Sequence, residues 1–141
     1  MKYETRITVQ YYETDMMGIV HHSNYIRYFE TARNDFFREI GYPYEKIEED
    51  GIFVPVLDVS ASYKVPAVFG EELAVICSIV KLGHASFEVE YEIRSAKDGT
   101  LHVTGTSRHG FTDKSFKPVP LRKVAPHILK VFQEAMGEYA G

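Results

Sequence analysis

The chain has 141 residues, 45% of them hydrophobic and 26% charged, with a net charge of −4 at pH 7. This length suits one domain with one core, which we expect to span residues 1–141, and the acidic balance argues against binding along a nucleic-acid backbone. The single cysteine, Cys77, excludes an internal disulfide and argues against a cysteine-based metal site. Residues 1–10 lack an apolar signal core and no apolar run is long enough for a membrane span, so we expect a cytoplasmic protein.

The first forty residues predict a strand followed by a long helix. Residues 5–12 alternate in the manner of a strand, and a turn-like stretch, residues 13–18, follows. Residues 23–40 repeat apolar side chains at spacings of three and four, with Ser23 or Asn24 as a candidate N-cap and Gly41 as the stop. The predicted buried face consists of Ile26, Phe29, Ala32, Arg33, Phe36, Phe37 and Ile40.

The remaining residues predict four strands and a final helix. The almost continuous apolar run around Cys77 indicates a strand buried on both faces, with the thiol as a structural group. An Asp98-Gly99 turn favours a hairpin between the last two strands. The predicted strands are 52–65, 71–81, 86–94 and 100–112, and the helix is 121–138. This order predicts the α+β class and suggests a sheet around the first helix, although periodicity does not fix the topology.

The densest polar cluster, residues 11–25, leads into the N-terminus of the first helix. Helix N-termini present free N–H groups and partial positive charge, which stabilise a carbonyl oxygen that becomes negative during acyl transfer. Asp15, Gly18 and the pair His21 and His22 therefore suit metal-free hydrolysis of an acyl group. The alternative is that Asp15 is a turn residue and that the histidines are ordinary polar residues of a helix start. Their spacing matches no familiar zinc site, so we expect no metal.

Residues 12–33 resemble the signature of the 4-hydroxybenzoyl-CoA thioesterase family, and within it the YbgC-like acyl-CoA thioesterases. The motif is an aspartate, two residues, a glycine, an apolar pair and a stretch that ends in tyrosine. Asp15, Gly18, Ile19, Val20 and Tyr25 fit it. The resemblance continues through residues 61–67, 69–73, 81–83 and 86–87 and excludes the C-terminal helix. It implies a hotdog fold, in which a curved antiparallel sheet wraps around a long helix.

The resemblance also implies the catalytic side chains and their activity, the hydrolysis of a thioester to free acid and CoA. The family's catalytic aspartate falls on Asp15, its histidine on His22 and its tyrosine on Tyr11. The main-chain N–H of His22 would donate to the thioester carbonyl, and Asp15 would act as a nucleophile or as a general base. Tyr11 would hydrogen-bond to Asp15 or His22, whereas His21 has no implied role. Glu30 matches a recurrent position that we interpret as orienting or structural.

The sequence also predicts substrate contacts and partners. We expect the substrate at Gly18, Val20, Ser62, Tyr63, Lys64 and Lys81, and further cations for the CoA phosphates at Arg108, Lys114 and Lys117. Each of these cations is individually consistent with an ordinary solvated charge. The expected substrate is an acyl-CoA or an acyl-carrier-protein thioester, and no cofactor is expected. Pairing of exposed strand edges, together with the resemblance, implies a homodimer or homotetramer with sites between subunits.

Two other functions stay open. One is a dehydratase or hydratase of hydroxyacyl thioesters on the same fold, although the His-Phe-Pro start typical of those enzymes is absent. The other is a non-catalytic module that binds acyl-CoA or acyl-carrier protein. Such a module would keep a pocket without needing Asp15.

Overall fold

The computed structural model describes residues 1–137, in which five strands and four α-helices are found. The chain runs through β1 (Tyr3–Thr8), a 3-10 turn (Tyr11–Glu13), α1 (Ser23–Glu39), α2 (Tyr44–Glu49), β2 (Val56–Tyr63), β3 (Glu72–Leu82), β4 (Ser86–Ser95), β5 (Leu101–Gly110), α3 (Leu121–Val124) and α4 (Pro126–Met136). None of the helices among residues 1–137 has the length and apolar character needed to cross a membrane.

The strands form one antiparallel sheet in the order β1-β3-β4-β5-β2. β4 alternates as predicted, with its apolar residues buried against α1. The rings of Phe29 on α1 and Tyr91 on β4 stack with centroids 4.3 Å apart. Gly105 on β5 allows this close packing, because a Cβ there would lie 2.5 Å from the Phe29 ring and 2.7 Å from the Ser60 carbonyl oxygen. The prediction of a sheet packed on the first helix is therefore confirmed.

Helix α1 confirms the predicted helix and corrects its buried face. Ile26 is 39% exposed, whereas Asn24, Tyr25 and Tyr28 are buried. Arg33 belongs to the core as predicted, at 6% exposure. Its Nε donates to the Tyr44 hydroxyl at 2.7 Å and its Nη1 to the Tyr91 hydroxyl at 2.9 Å, so two phenols satisfy the buried guanidinium. The expected stop is also present, at Gly41 with φ of 87°.

The ends of several predicted elements are wrong, for local reasons. β1 ends at Thr8 because Gln10 and Glu13 form a capping box that starts the 3-10 turn. β2 covers only Val56–Tyr63 of the predicted 52–65, and helix α2 was not predicted at all. The final helix breaks at Ala125, φ −151°, because a residue before proline avoids the helical conformation. Its predicted last residue, 138, lies outside the described residues.

Cys77 is the structural thiol that its apolar surroundings predict. The residue is 1% exposed, and its Sγ lies 3.7 Å from the carbonyl oxygen of Ala32 on α1. Burial raises the pKa of the Cys77 thiol to about 12. Since the thiolate is the nucleophilic form, this cysteine is unreactive near neutral pH.

Candidate active site

Glu13 fixes the start of the site loop, residues 13–22, against α1. Its Oε1 accepts hydrogen bonds from the backbone N–H of Gln10 at 2.8 Å and from the Tyr28 hydroxyl at 2.9 Å. Its carbonyl oxygen accepts the side-chain amide of Asn24 at 2.8 Å and the backbone N–H of His21 at 2.9 Å. Burial and the Glu13 carboxylate both raise the pKa of Tyr28, so this phenol stays a donor at neutral pH. Two of these four hydrogen bonds, from the Tyr28 hydroxyl and the Asn24 amide, thus tie the loop to buried side chains of the helix.

Asp15 opens a tight turn inside this loop. Its N–H donates to the Ile19 carbonyl at 2.9 Å, and its own carbonyl accepts the Gly18 N–H at 3.0 Å. Gly18 has φ of 80°, a left-handed conformation that favours glycine. The Oδ1 of Asp15 accepts the Met17 N–H at 2.8 Å, whereas Oδ2 accepts no hydrogen bond from residues 1–137. Asp15 is therefore a turn residue through one oxygen, and its other oxygen is free of hydrogen bonds from residues 1–137.

The two histidines at the start of α1 have different roles. The ring of His21 caps the helix, because its Nδ1 lies 3.2 Å from the Ser23 N–H and 2.9 Å from the Ser23 hydroxyl. Neither Ser23 nor Asn24 is therefore the cap that the sequence predicted. The N–H groups of Asn24 and Tyr25 donate to the carbonyls of His21 and His22. The N–H of His22 has no acceptor in the described part of the chain, which leaves it available as an oxyanion donor.

A cavity of about 240 Å³ brings most of the predicted site residues together. Asp15, Val20 and His22 line it from the site loop, and Tyr63 and Lys64 line it from the end of β2. Sequence reasoning missed the other lining residues, which are Met17, Ile19, Tyr25, Val65 and Pro66. The residue 12–25 motif and the Tyr63-to-Pro66 stretch were both conspicuous in the sequence, but only their pairing in space shows that they share one cavity.

Backbone hydrogen bonds hold the two walls of the cavity together. The Val20 N–H donates to the Ala67 carbonyl at 2.9 Å, and the Ala67 N–H donates to the Tyr25 hydroxyl at 3.2 Å. Ile19 and Val68 form a further antiparallel bridge. Because these bonds flank His22, a shift of residues 64–68 would move the cavity wall relative to the helix start.

Aromatic rings form the floor beside His22. The Tyr63 ring lies 6.3 Å from the His22 ring and 5.5 Å from the Tyr25 ring, measured between centroids. Burial raises the pKa of Tyr25, so its hydroxyl is neutral and able to hydrogen-bond to Ala67. The cavity therefore combines one carboxylate, one imidazole and the lysine side chain of Lys64 with apolar and aromatic surfaces.

The structure places three predicted site residues away from this cavity. Tyr11 is 75% exposed, and its ring packs edge-on to Phe69 at 5.6 Å rather than on Asp15 or His22. Ser62 lines a groove on the other side of the sheet, because neighbouring residues of a strand point to opposite faces. Lys81 lies near the far end of β3, where its backbone is in register with Glu88 on β4. Gly18 shapes the Asp15 turn without lining the cavity.

Two of the other predicted cations have local partners. Arg108 makes an ion pair with Asp58 at 2.6 Å, and the Nζ of Lys114 lies 4.5 Å from the centre of the Phe53 ring. Lys117 lies in the same exposed turn, and Glu30 is exposed on α1. Within residues 1–137, no three His, Cys, Asp or Glu side chains are grouped to hold a metal ion.

Residues 9–135 match the family model described as the Thioesterase-like superfamily. The chain belongs to this superfamily. It is 36% identical over 130 residues to the Bacillus subtilis protein named "Putative acyl-CoA thioesterase YneP", covering 92% of this chain and 94% of that protein. It is 28% identical to "Acyl-CoA thioesterase YbgC" of Helicobacter pylori, covering 88% and 97%. Among solved structures, the DHNA-CoA thioesterase of Staphylococcus aureus superimposes with a TM-score of 0.88 at 31% identity, covering 94% of this chain and 89% of that one.

These similarities confirm the hotdog-type α+β fold and the thioester hydrolase predicted from the residue 12–33 motif. They leave the roles of individual side chains as predictions.

Proposed function

We propose that this chain hydrolyses an acyl-CoA thioester at the cavity between the site loop and the end of β2. This proposal is supported by two polar groups on that cavity, each of which makes no hydrogen bond with residues 1–137. The His22 N–H has no acceptor among residues 1–137, and the Asp15 Oδ2 accepts no hydrogen bond from them. The free N–H suits a carbonyl oxygen that becomes negative, and the free carboxylate oxygen suits an attacking water or acyl carbon.

In the proposed reaction, the thioester carbonyl accepts the His22 N–H at the positive end of α1. The Asp15 carboxylate either removes a proton from water as that water attacks, or attacks the carbonyl carbon itself. The C–S bond then breaks, and the His22 imidazolium supplies a proton to the CoA thiolate. On the direct-attack route, water then hydrolyses the mixed anhydride on Asp15, which releases the free acid and restores the carboxylate. Rapid quench followed by mass spectrometry separates the routes, because only direct attack leaves the acyl group on Asp15.

The test is release of free thiol from a panel of CoA thioesters. Since the Staphylococcus aureus neighbour is a DHNA-CoA thioesterase, the panel includes naphthoyl and benzoyl esters beside short and long aliphatic ones. A parallel assay for hydration of enoyl thioesters tests the dehydratase alternative, and binding without turnover would indicate the non-catalytic module. The same panel on acyl-carrier protein tests the second class of carrier.

We further propose a homodimer that pairs its β2 strands. β2 is one edge of the sheet and exposes apolar side chains, with Val56 at 54%, Leu57 at 50% and Val59 at 38%. The opposite edge, β1, carries charges instead, including Arg6 in ion pairs with Glu4 and Glu72. An exposed apolar edge is an aggregation hazard unless another strand covers it.

Tyr63 lies at the end of β2 and lines the cavity, so this pairing would place the site beside the subunit boundary. In sedimentation experiments, we expect the wild type to be a dimer or a tetramer made of two dimers, and Leu57→Lys to shift it toward monomer with lower activity. A wild type that stays monomeric at micromolar concentration would contradict the shared boundary. A cytoplasmic location stays a prediction.

A further inference from the structure

His102 and Glu71 form a buried pair behind the cavity wall. His102 is 3% exposed on β5, and its Nε2 lies 2.5 Å from the Oε2 of Glu71. Its Nδ1 lies 2.7 Å from the carbonyl oxygen of Val65. The second oxygen of Glu71, Oε1, accepts the Val68 N–H at 3.2 Å. The two side chains therefore hold the wall segment, residues 64–68, at both of its ends.

Both ring nitrogens of His102 face acceptor oxygens. Nδ1 lies against the carbonyl oxygen of Val65, and Nε2 lies against a carboxylate oxygen of Glu71. The second contact joins an imidazole to a carboxylate. Charge-assisted bonds of this kind are about twice as strong as neutral ones.

Hydrogen bonds connect the wall segment to the loop and helix start that contain Asp15 and His22. The backbone carbonyl of His102 accepts the N–H groups of Lys64 at 2.8 Å and Val65 at 3.3 Å. Ala67 bonds to Val20 and Tyr25, the residues on either side of the helix start. No part of His102 or Glu71 lines the cavity, so any effect of the pair on catalysis passes through this segment.

We propose that His102 and Glu71 are positioning residues that set the distance between the Lys64–Pro66 wall and the pair Asp15 and His22. This role deepens the proposed thioesterase function and rests on it. The pair fixes a wall that contacts substrate, so its loss lets the wall move and weakens the hold on the thioester arm. Displacements of about 1 Å at such walls cost up to a hundredfold in rate.

The test compares variants that remove each bond of the pair separately. In His102→Asn the side-chain amide overlays Nδ1 and keeps the bond to Val65, whereas in His102→Gln it overlays Nε2 and keeps the bond to Glu71. Glu71→Ala removes the carboxylate, and a double variant combines it with His102→Asn. Because the residues act as one unit, we expect each single variant to raise KM about tenfold and the double variant to be no worse than either.

KM separates positioning from mere loss of stability. A smaller folded fraction lowers the apparent kcat and leaves KM unchanged, whereas a displaced wall raises KM. His127→Gln is the matched control, because His127 pairs with Asp50 at 2.8 Å on the exposed surface. We expect its KM to stay within twofold of the wild type. An unchanged KM in Glu71→Ala, or KM increases that multiply in the double variant, would overturn the proposal.

Amide hydrogen exchange tests the pair independently of activity. We expect the Val65 and Val68 amides to exchange at least about tenfold faster in Glu71→Ala than in the wild type, with the β3 and β4 core amides unchanged. A wild type that cleaves no thioester would refute the proposed function while this experiment still tests the wall. Unchanged exchange at both amides in Glu71→Ala and His102→Gln would refute the positioning pair whatever the activity.

Discussion

Asp15→Asn separates the two uses of this side chain. The Oδ1 of the carboxylate accepts the Met17 N–H at 2.8 Å, and the amide oxygen of asparagine can accept the same bond. The turn should therefore survive, as should the Gly18 and Ile19 backbone bonds that close it. What disappears is the negative charge and the basic oxygen that faces the cavity. The change thus removes the proposed chemistry and leaves the local fold in place.

Asp15→Asn should have a small effect on stability and a large effect on activity. Loss of one charge near the start of α1 alters the free energy of unfolding by less than about 1 kcal/mol, because such charge–dipole contributions are about 0.3–1 kcal/mol. Loss of the proposed catalytic carboxylate should lower kcat by about a thousandfold, which corresponds to about 4 kcal/mol of transition-state stabilisation. Thiol release measures kcat, and urea unfolding measures the free energy of unfolding.

Asp113→Asn is the matched control for Asp15→Asn. Asp113 is also half-buried, and its Oδ1 accepts the Ser115 N–H at 2.8 Å in a similar turn remote from the cavity. We expect this variant to keep wild-type kcat and stability. If Asp15→Asn keeps kcat within tenfold of the wild type on every thioester that the wild type cleaves, the proposed role of Asp15 is refuted.

Three further changes probe the helix start, the core and the pH dependence. His22→Ala should lower kcat with little loss of stability, whereas His21→Ala, which removes the cap on Ser23, should cost about 1 kcal/mol of unfolding free energy. Gly105→Ala should cost about 3 kcal/mol in urea unfolding because its Cβ would overlap an α1 ring at 2.5 Å, whereas Gly110→Ala meets nothing closer than 3.7 Å. Burial, aided by a nearby arginine, lowers the pKa of His109 to about 3, so below about pH 6.5 only the unfolded chain gains this proton. Stability should then fall by about 1.4 kcal/mol per pH unit down to about pH 3, and His109→Gln should remove that slope.

Each of these expectations has a contradicting result. Equal losses of kcat in the His21 and His22 variants would show that the helix start acts as a whole. Gly105→Ala that unfolds at the wild-type urea concentration would show that α1 can shift away from β5. A His109→Gln protein with the same acid slope as the wild type would assign that slope to the carboxylates instead.

The fold was predictable where the apolar pattern is long and regular. β4 alternates and α1 repeats over many residues, so both were located correctly. The errors lie where short-range bonds override the pattern, as in the Gln10–Glu13 capping box and at Ala125 before Pro126. Arg33 fits the apolar spacing, but only the positions of Tyr44 and Tyr91 explain how a guanidinium is tolerated in the core.

The candidate site was predictable as far as it is contiguous in sequence. Asp15, Gly18 and His22 share one loop and one helix start, so a local motif contains their geometry. The sequence does not show that His21, and not His22, caps the helix with its side chain. That cap depends on which way the His21 ring turns. The His102–Glu71 pair joins residues 31 apart, and nothing in either local sequence marks them.

The two oxygens of Asp15 explain why a short acidic side chain suits this position. Aspartate reaches the N–H two residues ahead, a bond that the longer glutamate side chain makes poorly, so the turn itself orients the carboxylate. Glu13 then ties that turn to α1, the same helix whose first free amide is His22. The proposed base and the proposed oxyanion donor are therefore held by one continuous set of hydrogen bonds. Preorganisation of this kind lets both groups act without further reorganisation when the thioester binds.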